Sequence, residues 1–179
     1  RKCLSCGKKE RRNKIVNLKV KQSIMKVTIL TISDRASKGI YEDLSGPAIE
    51  KIIKESIADA EISRVIVPDE KEEIINALQK AASSDFILTT GGTGLSVRDV
   101  TPEICEEYCD KSLPGIAEIL RSESYKETSH AMLSRGYAGI KDKTIIVNFP
   151  GSVKAVTLCT KILLPAMGHA IKMINNEGH

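Results

Sequence analysis

The chain has 179 residues, 41% of them apolar, with no tryptophan and two phenylalanines, which suits one folded domain and excludes wholesale disorder. No apolar run approaches the ~20 residues of a membrane-spanning helix, and no apolar signal segment opens the chain. The net charge of +4 is uneven: residues 1–24 carry nine Lys/Arg against one Glu, leaving 18 basic against 22 acidic residues beyond them, so nucleic-acid binding has only the first segment to stand on.

Residues 1–24 read as a basic extension, flexible or derived from expression, with the folded domain expected over 25–179. The extension holds Cys3-Leu-Ser-Cys6, a lone CxxC that supplies half the ligands of a structural zinc site. The five cysteines are scattered and odd in number, which fits a reducing cytoplasm better than a disulfide framework.

Beyond Met25, four segments rich in β-branched residues read as buried strands: 26–32 (KVTILTI), 62–67 (ISRVIV), 85–90 (DFILTT) and 144–149 (TIIVNF). Helical patterns separate them. Ser45-Gly46-Pro47 opens a helix with Ile49, Ile52, Ile53 and Ile57 on one face. A second helix follows Asp69, with Ile74, Ile75, Leu78, Ala81 and Ala82 in register. Thr101 reads as the N-cap of a third, with Pro102 at its first position and Glu103 in its first turn. Pro114 opens a fourth, to about Lys126. The last runs over roughly 153–175, with Pro165 expected to kink or interrupt it. Cys105 and Cys109 stand four apart on the third helix and read as core packing. Strands alternating with helices predict an α/β domain with a mostly parallel sheet between helical layers.

In such sheets ligands bind beyond the carboxyl ends of the strands, and the unusual residues fall there. The first strand leads into Ser33-Asp34-Arg35, the second into Pro68-Asp69. The third leads into Gly91-Gly92-Thr93-Gly94 and then Asp99, and the fourth into Pro150-Gly151-Ser152. Each loop also has a plain structural reading. The glycines could serve a turn of positive φ, and no Lys-Ser/Thr follows them as in a Walker A loop. Asp69 with Glu72 has the spacing of a capping box. Asp34 and Arg35 could form a solvated ion pair. Asp99 is not needed for the cap at Thr101. His130, His169, His179 and the cysteines lie outside these loops, which argues against a His or Cys nucleophile.

Nucleotidyl transfer to a phosphate needs no strong side-chain base, because the nucleophile is already ionised. It needs positioning, positive charge on the phosphates and usually Mg²⁺ held by carboxylates. Two rim aspartates, a loop of exposed amides, and Arg35 and Arg98 nearby are the parts for that class of reaction.

From Lys26 onward the chain resembles the MogA-type molybdopterin adenylyltransferases, a family that includes the G domain of gephyrin and MoaB. The resemblance is carried by TISDRASKGIYEDLSGPAI, VPDE, LTTGGTGLSVRDVTPE, PGIAEILR, AMLSRGYAGI and NFPGSVKAV. It implies a three-layer α/β/α sandwich, commonly a cytoplasmic homotrimer. The implied activity is transfer of AMP from ATP to molybdopterin, with hand-over to a molybdenum-insertion protein and no nucleic acid or membrane partner. By the same resemblance Asp69 and Asp99 are catalytic and hold Mg²⁺, while Gly91, Gly92, Thr93, Gly94, Ser33 and Asp34 line the nucleotide phosphates. Ser134, Arg135, Asn148, Pro150, Gly151 and Ser152 shape the pterin side. Two other readings remain: a non-catalytic MoaB-like or gephyrin-like pterin-binding trimer, and a CinA-type nucleotide pyrophosphatase. The latter typically has Leu in place of Thr93 and Asp-Asp in place of Arg98-Asp99. The family offers no role for residues 1–24.

Overall fold

The computed structural model describes residues 24–176; Cys3 and Cys6 lie outside them. Strands β1 (Lys26–Ile32), β2 (Glu61–Val67), β3 (Phe86–Thr90), β4 (Lys111–Ser112), β5 (Ala138–Lys141) and β6 (Thr144–Phe149) form one sheet in the order β2-β1-β3-β6-β5-β4. β2, β1, β3 and β6 run parallel, with Thr31 opposite Thr90 and Thr90 opposite Phe149. The four expected strands are present, two of them shifted by one residue at the start.

β4 and β5 were not expected, and both pairings they make with their neighbours are antiparallel. β4 has two exposed residues and β5 only four, Gly139 among them, too short for a periodic signal. Their hairpin with β6 turns at Asp142, φ 52°, a left-handed position that Asp tolerates.

Helices cover both faces, as a three-layer α/β/α sandwich requires. Side-chain alternation along each strand sends Val27, Ile29, Phe86 and Val147 to one face. There they meet Ile49 and Ile53 of α2 (Ser45–Ser56) and Val156 and Leu163 of α6 (Val153–Ile174). Leu120 of α5 (Pro114–Glu127) closes that layer. Leu30, Ile32, Ile87 and Ile146 face the other way, onto Ile74 and Leu78 of α3 (Lys71–Lys80) and Ile104 and Cys105 of α4 (Thr101–Tyr108). Each fully buried Ile, Leu or Phe stabilises the sandwich by about 1.5–3 kcal/mol.

Pro165 does not interrupt α6, which is continuous over 22 residues. Pro165 and Lys161, whose carbonyl loses its helical partner, are both on the exposed face, where water can accept the loss. The expected N-cap at Thr101 is also corrected. α4 begins at Thr101 itself, after Val100, with no side-chain cap, and the Thr101 hydroxyl is buried without a hydrogen-bond partner among the described residues. At α2 the capping is done by Asp43, whose Oδ1 accepts from the N–H groups of Ser45 and Gly46, both at 3.0 Å.

Candidate active site

Parallel register puts the ends of β2, β1, β3 and β6 at one rim, and the ladder runs on into the loops: Ser33 N donates to Val67 O (2.9 Å) and Gly91 N to Phe149 O (3.3 Å). The strand order reverses between β1 and β3, the switch point where open α/β sheets bind ligands. The glycine loop sits there. Gly91 has φ 100° and Gly92 φ 62°, a region glycine occupies without strain. A Cβ on Gly91 would strike the carbonyl of Ile32 at the end of β1, and one on Gly92 the Thr101 hydroxyl. Both glycines are required by close approach.

The loop is pinned through its carbonyls. Thr101 N donates to Gly92 O (3.2 Å) and Arg135 N to Thr93 O (3.1 Å); Arg135 Nε donates to Gly94 O (2.7 Å). No acceptor among the described residues takes the N–H of Gly92, Thr93 or Gly94. Fixed carbonyls with uncommitted amides make an anion cradle.

Carboxylates stand around it. Asp69 does not cap α3, as its spacing with Glu72 suggested; Glu70 holds the cap position without a side-chain bond. The Asp69 carboxylate turns toward β1, and its Oδ2 accepts from Asp34 N (2.8 Å), while Asp34 Oδ1 accepts from Asp69 N (3.1 Å). Its Oδ1 lies 3.2 Å from where a Cβ on Gly92 would sit, and Asp99 Oδ2 lies 3.1 Å from the same point on Gly94. Bare glycine thus leaves room beside both aspartates. Asp99 Oδ2 also accepts from Ser96 N (2.8 Å).

The expected Asp34–Arg35 pair does not form. Arg35 lies over the Tyr41 ring, 5.3 Å from its centroid, and Asp34 is held by Arg98, with Nε to Oδ2 at 3.1 Å and Nη2 to Oδ1 at 2.9 Å. Adjacent residues at a helix start point apart, whereas the loop before α4 delivers Arg98 from across the switch point. The Arg98 guanidinium holds the Asp34 carboxyl below its ordinary range. Burial pushes Asp69 up, and the charges of Asp34 and Asp99 add to that shift. A cation beside Asp69 would offset both the burial and the neighbouring charges.

The residues expected on the pterin side divide by role. Thr90 Oγ1 donates to Pro150 O (2.9 Å) and Ser45 Oγ to Gly151 O (2.8 Å), so β3 and α2 fix that loop. Ser152 caps α6 by accepting from Ala155 N (3.3 Å), and Ser33 caps the single turn α1 (Asp34–Ser37) by accepting from Ala36 N (3.2 Å). Asn148 is spent internally: its Nδ2 donates to Thr89 Oγ1 (2.9 Å) and its Oδ1 accepts from Tyr137 N (3.2 Å). Arg135 also meets Glu103 and the carbonyl of Asp99, tying the segment before β5 to the glycine loop and α4.

Beside the loop opens a cavity of about 390 Å³, walled by Ala117, Leu120, Leu133 and Ala155 and reached by Thr93, Gly94, Ser134, Asn148, Pro150 and Ser152. Sequence reasoning missed its far wall. Arg121 and Ser124 come from α5, His130 from a 3-10 helix (Ser129–Leu133), and Cys159 from α6. So a histidine and a cysteine do reach the site, although none belongs to the four loops. Burial raises the Cys159 thiol to about 11, which leaves it inert near neutrality. Arg121 donates to Ser134 O (2.9 Å) and Gly136 O (3.2 Å), a contact readable from sequence only once the helix is placed.

A family profile described as "Probable molybdopterin binding domain" matches residues 28–169. The molybdopterin adenylyltransferase of Helicobacter pylori (strain ATCC 700392 / 26695) is 43% identical over 152 residues, covering 83% of this chain and 86% of its own. Among solved structures, one described as the anomalous substructure of MogA superposes with a TM-score of 0.79 at 32% identity, covering 83% of this chain and 99% of that one. The tungsten cofactor synthesizing protein MoaB from Pyrococcus furiosus gives 0.76 at 36% identity, covering 85% and 98%. With the family profile matched over residues 28–169 and a relative 43% identical over most of both chains, this chain belongs to the MogA-type molybdopterin-binding family.

Proposed function

We propose that the protein is a molybdopterin adenylyltransferase of molybdenum cofactor biosynthesis, moving AMP from ATP to the terminal phosphate of molybdopterin with release of pyrophosphate. The observation that carries this reading is the junction of two unlike half-sites. A cradle of backbone N–H groups flanked by Asp69 and Asp99 abuts an apolar cavity wide enough for a fused heterocycle, with Thr93 and Gly94 belonging to both.

Mg²⁺ fits this donor set in a particular way. Among the described residues no three acidic, imidazole or thiol groups converge on one point. Asp69 and Asp99 instead face the room left by Gly92 and Gly94, which matches a cation shared between one or two carboxylates and substrate phosphates. Bound there, it would offset the charge that builds on the leaving pyrophosphate. The chain's own groups do the rest. The amides of Gly92, Thr93 and Gly94 orient the triphosphate, and the cavity between α5 and α6 holds the pterin so that its phosphate oxygen attacks the α-phosphorus in line. The bond from that phosphorus to the bridging oxygen breaks as the new one forms. No proton leaves the nucleophile, so neither His130 nor a thiol is required.

The resemblance supports a cytoplasmic homotrimer that passes its product to a molybdenum-insertion protein. Val65 (41% exposed) and Ile66 (43%) on edge strand β2 supply apolar surface that an assembly would cover. Free Cys105, Cys109 and Cys159 suit a reducing compartment. The test is incubation of the protein with molybdopterin, ATP and Mg²⁺. Adenylyl-molybdopterin and pyrophosphate are expected, and EDTA should abolish both. Pterin binding without pyrophosphate would favour the non-catalytic reading.

A further inference from the structure

The segment Leu95–Val100, which crosses the rim from the glycine loop to α4, is attached in an unusual way. Its first two apolar side chains are not its anchors: Leu95 is 67% exposed and Val97 94%, and only Val100, next to α4, packs against the core. Up to Asp99 it is held by polar contacts: Ser96 N to Asp99 Oδ2, Arg98 N to Ser96 Oγ and Asp99 N to Ser96 O within the segment, Arg135 on the Asp99 carbonyl, and the Arg98 guanidinium reaching outward. That guanidinium meets both oxygens of Asp34, and its Nη2 also donates to Glu70 Oε1 (2.8 Å). Asp34 is in turn locked to Asp69 by their paired backbone contacts. The positive charge of Arg98 therefore lies against the carboxylates beside Asp69, where a cation-bound triphosphate has to dock. Leu95, Ser96, Val97 and Arg98 are all exposed, so lifting Arg98 away costs a few solvated polar contacts while Val100 and the Arg135 contact hold the segment's far end.

Resting on the nucleotide reading above, we propose that Arg98 is a displaceable counter-ion, holding Asp34 and Glu70 in the nucleotide-free protein and passing to the triphosphate when nucleotide and divalent cation arrive. A planar fork already set for two oxygens on carboxylate fits two oxygens on phosphate equally well. The exchange keeps the rim neutralised in both states: by arginine when empty, by the metal when loaded. Arg98 then acts as a positioning residue, and its removal has opposite effects on cation and nucleotide.

The experiment uses the full chain and two probes, Mn²⁺ alone and Mg²⁺ with α,β-methylene-ATP. Arg98→Gln should bind Mn²⁺ roughly three- to tenfold more tightly than the parent, because the carboxylates lose their competitor. It should bind the nucleotide analogue more weakly. Arg98→Lys, which keeps the charge without the fork, should lie between on both scales. Adding Asp34→Asn to Arg98→Gln should erase the Mn²⁺ gain. An arginine that merely braces the loop predicts the reverse sign, weaker Mn²⁺ binding as the carboxylates drift. Unchanged or weaker Mn²⁺ binding in Arg98→Gln overturns the counter-ion role, and unchanged analogue binding overturns the transfer to phosphate. If the parent protein fails to adenylylate molybdopterin while the Mn²⁺ gain appears, the reaction assignment falls and the counter-ion stands.

Discussion

Asp34 and Asp69 hold each other reciprocally: the backbone N–H of each donates to the carboxylate of the other, at 2.8 and 3.1 Å, across 35 residues of sequence. Two carboxylates are thus brought together by backbone hydrogen bonds, not by a salt bridge. The arrangement fixes the ends of β1 and β2 relative to one another and leaves Asp69 Oδ1 facing the glycine loop. It also sets a repulsion, since the charge on Asp34 helps raise the proton affinity of Asp69.

For Asp69→Asn the structure separates fold from chemistry. An asparagine carbonyl can still accept from Asp34 N, and α3 draws no cap from this side chain. The melting temperature should stay within about 2 °C. If the charge serves catalysis, pyrophosphate release should fall by about a hundredfold or more. Retained turnover would remove Asp69 from the mechanism.

Asp99→Asn should behave similarly for a different reason. The turn from Ser96 to Asp99 is closed by Asp99 N to Ser96 O (2.9 Å) and needs only an acceptor at the side chain. Circular dichroism should report an unchanged fold, and pyrophosphate release should fall by about a hundredfold. A loss of structure alongside activity would assign Asp99 to the loop alone.

Two glycines of similar backbone give a matched comparison. Gly39 (φ 68°) has open space where a Cβ would go, whereas at Gly92 (φ 62°) the same atom would strike the Thr101 hydroxyl on a fully buried residue. Gly39→Ala should lose about 1 kcal/mol from backbone strain. Gly92→Ala should lose about 2–4 kcal/mol, as overpacking adds to strain, and nucleotide binding with it. Equal losses in urea melts would contradict the close approach at Gly92.

The parallel core and its rim were legible because each buried strand is a run of β-branched residues, and the loops after them carry glycine and aspartate in plain view. What sequence could not show was which charges meet. Asp34 beside Arg35 looks like a pair, yet the chain bends them apart and brings Arg98 from 64 residues away. The same holds for Asp69, whose capping-box spacing is genuine but whose carboxylate finds a backbone donor at the start of α1, Asp34 N. The far wall of the cavity was hidden because α5 and the 3-10 helix carry ordinary residues such as Ala117 and Ala131. These matter only through where the sheet places them. β4 and β5 were too short to leave a pattern.

The missed hairpin offers a pH test. Asp110 accepts from Asp142 N (2.9 Å) and Lys141 Nζ (2.7 Å), and these contacts hold its carboxyl below the ordinary 3.8. The fold prefers the ionised form, so the stabilisation is complete above 3.8 and is lost as pH falls through the lower folded value. The denaturant midpoint of Asp110→Asn should therefore lie below the parent's at about pH 6 and approach it as acid carries the pH down through the lowered folded value. A gap that persists in acid would show the contacts act without the charge.

The last test separates the two half-sites. Ala117 projects from α5 into the cavity and is partly exposed there, so a tryptophan in its place occupies cavity space without entering the sheet core. It is absent from the hydrogen bonds that pin the glycine loop, which run through Thr101 and Arg135. Ala117→Trp should weaken molybdopterin binding about tenfold or more while leaving ATP-analogue affinity within about twofold. Calorimetry with each ligand alone reads the two effects separately. Loss of nucleotide binding with pterin binding intact would reverse the assignment, placing the nucleotide base in the cavity and the pterin on the open rim.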